Sequence, residues 1–187
     1  MGHSRMSPLW MTYEQAVALI AAANQERPQE ACGILVGKNE QVEEVISIRN
    51  IAADPAHFYR LDDQAFTQAL FQTQNKGQTL LAFYHSHPTS DPIPSQEDIR
   101  QITYPDIPYV IVGFRKPEPE LAAWQIRPGE VKRMPLHIGF HAPPPPPSFS
   151  QAQKTAVLLT ALIAFVFLIV LSLSLLPPAP VIVTPLP

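Results

Sequence analysis

TLLAFYHSHPTSDPIPSQED, residues 79–98, is the stretch from which the rest of the chain can be read. Thr79 to Tyr84 is an apolar run of strand length that follows Gly77 and leads straight into His85, Ser86 and His87. Side chains alternate along a strand with period two, so the two histidines project to one side and Ser86 to the other. Pro92 and Pro94 punctuate the loop beyond, and Ser95 opens a short helix through about Gln101 that carries Asp98. Two imidazoles and a carboxylate make a three-ligand set that leaves one tetrahedral position for water, the arrangement of catalytic rather than structural zinc. Taken by spacing alone, the pair also suits two ordinary core or surface histidines. A single cysteine, Cys32, rules out a thiolate site and a disulfide framework. Cys32 reads as a small buried hydrophobe.

Working outward, Thr12 to Gln25 carries apolar residues at helical spacing (Ala16, Val17, Leu19, Ile20, Ala23). Thr12 with Gln15 has the form of a capping box. Cys32 to Val36 reads as a buried strand, paired with the β-branched run Val42 to Ile48 across a turn at Gly37 to Glu40. A further strand is predicted at His57 to Arg60, and a helix capped by Asp62 runs to about Asn75. Tyr109 to Phe114, Leu121 to Ile126 and Val131 to Met134 are predicted strands. Crossovers mixed with hairpins argue an α/β (α+β) sheet flanked by helices. His3, His57, His137 and His141 stay outside the ligand set.

The string His-Ser-His-Pro, six residues, Ser95, two residues, Asp98 resembles the signature of the MPN/JAMM metallopeptidases. Pro28 to Gly37 (PQEACGILVG) resembles the segment of that family in which a catalytic glutamate precedes a Cys-Gly-aliphatic strand. The likeness covers about Met11 to Val131. It implies a cytidine-deaminase-like mixed sheet, with His85, His87 and Asp98 binding Zn2+. It also implies that Glu30 is the general acid/base, passing a proton from zinc-bound water to the leaving amine, and that Ser95 donates a hydrogen bond to the oxyanion. Read without it, Glu30 is a carboxylate where a strand begins, and Ser95 with Asp98 is a helix N-cap pair. The segment from Ser95 to Leu121 leaves no room for a large ubiquitin-gripping insertion, so the chain looks like the compact prokaryotic type. The reaction this implies is hydrolysis of a peptide or isopeptide bond after the C-terminal Gly-Gly of a ubiquitin-like or sulfur-carrier β-grasp protein. A non-catalytic, membrane-tethered scaffold that recruits a protein partner is the alternative.

The remaining sequence is a different material. No Asp, Glu, Lys or Arg occurs from Thr155 onward, and 15 residues between Val157 and Leu176 are Leu, Ile, Val or Phe. As a helix that run covers ~30 Å, the thickness of a hydrocarbon core. The expected organisation is a flexible start at 1–10, the metallopeptidase domain at 11–141 and a proline-rich linker at 142–154. A transmembrane helix follows at 155–176, then a short tail at 177–187. Five prolines from Pro143 to Pro147 favour an extended polyproline II stalk. Lys154 precedes the span, and Ala16 to Ala23 lacks the flanks of a signal peptide, which argues a tail-anchored protein with a cytosolic domain. A formal net charge of -3 argues against nucleic acid as a partner.

Overall fold

The computed structural model describes residues 8–143 and 150–175, in two compact units divided between Pro143 and Pro144. The first unit is one mixed sheet with helices on both faces. Its elements are β1 (Leu9–Met11), α1 (Tyr13–Gln25), β2 (Cys32–Lys38), β3 (Gln41–Ile48), α2 (Asp63–Asn75), β4 (Thr79–His87), α3 (Gln96–Arg100), β5 (Tyr109–Gly113), β6 (Glu120–Arg127), β7 (Glu130–Met134) and β8 (Leu136–Ile138). The eight strands are ordered β7-β6-β5-β4-β2-β3-β1-β8. This is the mixed α/β architecture that the sequence implies.

Local chemistry accounts for most boundaries. Thr12 caps α1 with both halves of a capping box, its hydroxyl accepting from the Gln15 amide and the Gln15 side chain accepting from the Thr12 amide. Asp62 caps α2 by accepting from the Gln64 and Ala65 amides. Asn39 and Glu40 both have positive φ, the backbone of a tight two-residue hairpin, and join β2 to β3. Gly77, with φ +64, follows α2 where a side chain would be strained.

Strand alternation divides the core into two. Leu35 and Tyr84 face Met11, Leu19 and Ala23 on the α1 side. Ile34, Val36 and Phe83 face Ala69 and Phe66 on the α2 side. Beyond the register irregularity near the start of β4, Ala82 and Tyr84 face α1 and Phe83 faces α2, so by alternation His85 and His87 emerge on the α2 face. They stand at the C-terminal end of β4, which runs parallel to β5.

Three expectations are corrected. His57 to Arg60 forms no strand; the segment is a turn and loop, followed by an isolated bridge between Asn50 and Leu61. Its backbone groups are taken instead by the Asn50 side chain. Leu9 and Trp10, assigned to a flexible start, belong to β1, because Leu9 to Met11 pairs in parallel with Leu136 to Ile138. Val17 is 65% exposed rather than part of the buried face of α1.

The second unit contains α4 (Gln151–Ser174), opened by a Ser150 and Gln153 capping box. Thr155 to Ser174 is a 20-residue apolar stretch, long and apolar enough to cross a membrane. The proline stalk at 144–147, the last residue of the expected span and the tail at 177–187 lie outside the described residues, as does the start before residue 8.

Candidate metal centre

His85, fully buried, and His87, 6% exposed, present their Nε2 atoms to one another at 3.1 Å. The Asp98 carboxylate closes the triangle, Oδ1 lying 3.4 Å from His85 Nε2 and Oδ2 3.4 Å from His87 Nε2. Asp98 reaches them from α3, the helix that Ser95 caps. The Ser95 amide donates to Asp98 Oδ2 at 2.6 Å, and Ser95 Oγ accepts from the Asp98 amide at 3.1 Å. The capping box therefore orients the carboxylate as well as starting the helix. Ser95 Oγ spends an acceptor site in that bond and keeps its O–H to donate.

Two imidazole nitrogens at this separation cannot both present lone pairs without a proton or a cation between them. His87 Nδ1 lies 2.9 Å from the Asp91 carbonyl, which only an N–H can satisfy, so the neutral His87 ring carries its lone pair on Nε2. Burial lowers the His85 pKa, outweighing the pull of Asp98, and favours a neutral ring there. Burial acts the same way on His87, but the Asp98 carboxylate and the Asp91 carbonyl outweigh it and raise the His87 pKa, so without a cation His87 is the ring that more readily holds a second proton and donates from Nε2 to Asp98. Burial would raise the Asp98 pKa, but the hydrogen bonds from His85 and His87 outweigh it and hold the carboxyl far below the usual carboxylate range. A tetrahedral ion with bonds of about 2.0–2.1 Å separates its ligand atoms by roughly 3.3 Å. The three separations here match that value, so the donor set fits zinc in kind and in size.

Glu30 stands just before β2. In the β2–β4 register Cys32 opposes His85, and the Ser86 amide donates to the Ala31 carbonyl, so Glu30 falls beside His87. It is 6% exposed, and burial pushes its pKa up to about 8, with His87 lowering and Asp98 raising it. Ser86 faces away from the cluster and ties the strands together, its Oγ accepting from the Ala31 amide at 2.8 Å. Cys32 is buried, with a pKa raised to about 12 by burial, a packing residue rather than a thiolate. The side chain of His57 is 73% exposed.

Three residues around the cluster carry no signal in the sequence. Asp91 fixes the His87 tautomer through its main chain. Tyr59 stacks on the His85 ring, with centroids 4.3 Å apart and planes 15° from parallel. Asn50 pins the loop bearing Tyr59 to Glu30: its Nδ2 donates to the Glu30 and Phe58 carbonyls and its Oδ1 accepts from the Ala52 and Arg60 amides. Only a loop folded over the sheet edge brings these groups together, and no periodicity announces such a loop.

Residues 14–127 match the family described as prokaryotic homologs of the JAB domain. The chain is similar to the CysO-cysteine peptidase of Mycobacterium tuberculosis, 32% identical over 124 residues, which is 65% of this chain and 84% of that protein. It is similar to a probable TtuB-protein conjugate cleaving protease of Thermus thermophilus, 40% identical over 88 residues, covering 47% of this chain and 58% of the relative. Among solved structures, a protein from Desulfitobacterium hafniense superposes with a TM-score of 0.65 at 27% identity, covering 71% of this chain and 93% of that one.

Proposed function

The chain belongs to the prokaryotic JAB-domain family and is a JAMM-type hydrolase, and from that premise we propose a zinc-dependent reaction at a diglycine tail. The bond cleaved is the peptide or isopeptide bond after the C-terminal Gly-Gly of a ubiquitin-like or sulfur-carrier β-grasp protein. What carries the reading is the convergence of His85, His87 and Asp98 on one point with the buried carboxyl of Glu30 alongside. The similarity to a CysO-cysteine peptidase and to a probable TtuB-protein conjugate cleaving protease supports this substrate class.

His85, His87 and Asp98 hold the zinc, which when bound polarises a carbonyl and brings the pKa of water towards neutrality. Glu30 accepts a proton from the attacking water and delivers it to the departing amine. Its buried setting suits that task, since a carboxyl with a raised pKa is a better proton acceptor than an exposed one. The Ser95 hydroxyl donates to the oxygen of the tetrahedral intermediate, where a well-placed donor is worth roughly 10²–10³ in rate. Asp91 and Tyr59 keep the two rings in place.

Helix α4 anchors the protein in a membrane, with the catalytic unit on the cytoplasmic side. The apolar length of Thr155 to Ser174 and the position of Lys154 before it support that reading.

The proposal is tested by Glu30→Gln. Metal analysis of the zinc-loaded full chain in detergent is expected to return one zinc per chain in both proteins, with turnover of a Gly-Gly substrate reduced about 10²–10⁴-fold in the variant. Equal turnover would remove Glu30 from the mechanism. Loss of zinc from the variant would recast Glu30 as a ligand.

A further inference from the structure

The metal cluster has a neighbour on the α2 face. A cavity of about 290 Å³ opens directly beside it, and the two share Asp98. Its floor and walls are aromatic. Phe83 stacks on Tyr104 and Tyr109 with centroids 5.0 and 5.4 Å apart, and Phe66 leans on Phe83 and Tyr104 at 5.6 and 6.1 Å. Tyr59 lines the cavity and also stacks on His85, so one ring forms both a cavity wall and the packing behind a candidate ligand. The charged groups at the rim are engaged with each other rather than with the interior: Arg60 pairs with Asp63, and Glu97 pairs with Arg100. Tyr104, on the wall, is 41% exposed, so its ring is accessible from solvent at the cavity mouth.

We propose that this cavity is a specificity subsite that takes a large apolar side chain, Leu or Phe in kind, from the substrate residue immediately before the diglycine. The assignment rests on the diglycine reading above. The two glycines have no side chains, so the preceding residue is the first on the acyl side able to be recognised by one. In an extended tail it lies about 7 Å from the scissile carbonyl, at ~3.3 Å per residue. A cavity whose wall includes Asp98 is within that reach of a carbonyl held at the cluster. An aromatic floor with paired rim charges rewards an apolar group and leaves a carboxylate or ammonium unpartnered.

The test uses the zinc-loaded full chain in detergent and a β-grasp protein ending in Gly-Gly plus one further amino acid. The residue before the diglycine is set to Phe, Leu, Ala or Asp, and kcat/KM is measured for each. Phe or Leu is expected to exceed Ala and Asp by roughly tenfold to a hundredfold. Thr103→Trp, which adds a bulky ring at the exposed rim, should shrink that preference to within about threefold while the Ala substrate is still cut. Tyr104→Ala, which opens the wall, should weaken it as well, with thermal melts confirming that both variants are folded. Equal rates across the four substrates would overturn the subsite. So would a preference that both variants leave intact, or one that follows the residue after the scissile bond. No cleavage of any of the four would overturn the diglycine reading itself, and the subsite with it.

Discussion

Glu30 sets the proton balance of the site. In the metal-free protein its pKa is raised to about 8, chiefly by burial, so the carboxyl is largely neutral at pH 7. An unfolded chain ionises the same group near 4.5. The folded state thus holds its proton more tightly, and the benefit is complete below the unfolded value. Stability is lost as pH rises from there through about 8. In the presence of a chelator, the melting temperature of wild type is therefore expected to fall relative to Glu30→Gln between pH 5 and 8, with the two curves parallel above about pH 9. A constant difference across that range would mean that Glu30 is not buried as described. A cation at His85, His87 and Asp98 favours the carboxylate, so the same residue turns from a neutral acid into a base when the site is filled.

At the scale of elements, the site depends on how the β4–α3 loop sits on β5. Gly113 ends β5, pairs with His87 and lies under Asp91 and Pro92; a methyl group there would come within 2.5 Å of the Pro92 nitrogen and Cδ. Gly113→Ala must push that loop away, and with it the Asp91 carbonyl that holds His87. We expect a 10–100-fold weaker zinc affinity from competition with a chromogenic chelator, the usual effect of disturbing a ligand's outer partner. An unchanged affinity would show that Asp91 has no part in orienting His87. Much of this scale was legible in the sequence where the determinants are local. The Thr12 capping box, the Asp62 cap, the β2–β3 hairpin and the period-two placement of His85 and His87 each depend on a few neighbouring residues. The pairing of β1 with β8 joins residues more than a hundred positions apart, and three-residue strands carry too little pattern to be seen. Tyr59 was misread for a related reason. The aromatic residues of His57 to Arg60 serve no strand: Tyr59 stacks on His85, and Phe58 and Tyr59 line a cavity.

For the whole molecule, the two units have opposite characters, a sheet domain with a buried core on each face of its sheet and a helix with apolar side chains exposed along its length. Exposed Leu, Ile, Val and Phe over 20 residues would aggregate in water and are at ease in hydrocarbon. The full chain is therefore expected to stay with the membrane pellet through alkaline carbonate washing, whereas a chain ending at Pro143 should appear in the supernatant. Protease added to inverted vesicles should digest the catalytic unit, and added to right-side-out cells should spare it. Release of the full chain by carbonate would remove the anchor, and the reverse protection pattern would place the domain on the other side.

The proposed activity is that of a hydrolase whose Glu30, His85, His87 and Asp98 cut after a diglycine. Its most direct test is the intact mass of a β-grasp protein with a C-terminal Gly-Gly extension, measured after incubation with the zinc-loaded chain. A new mass ending at Gly-Gly is expected, absent after chelation and formed about 10²–10⁴-fold more slowly with Glu30→Gln. Cleavage elsewhere in the substrate, or the same product formed at an equal rate by Glu30→Gln or by chelated protein, would contradict that claim.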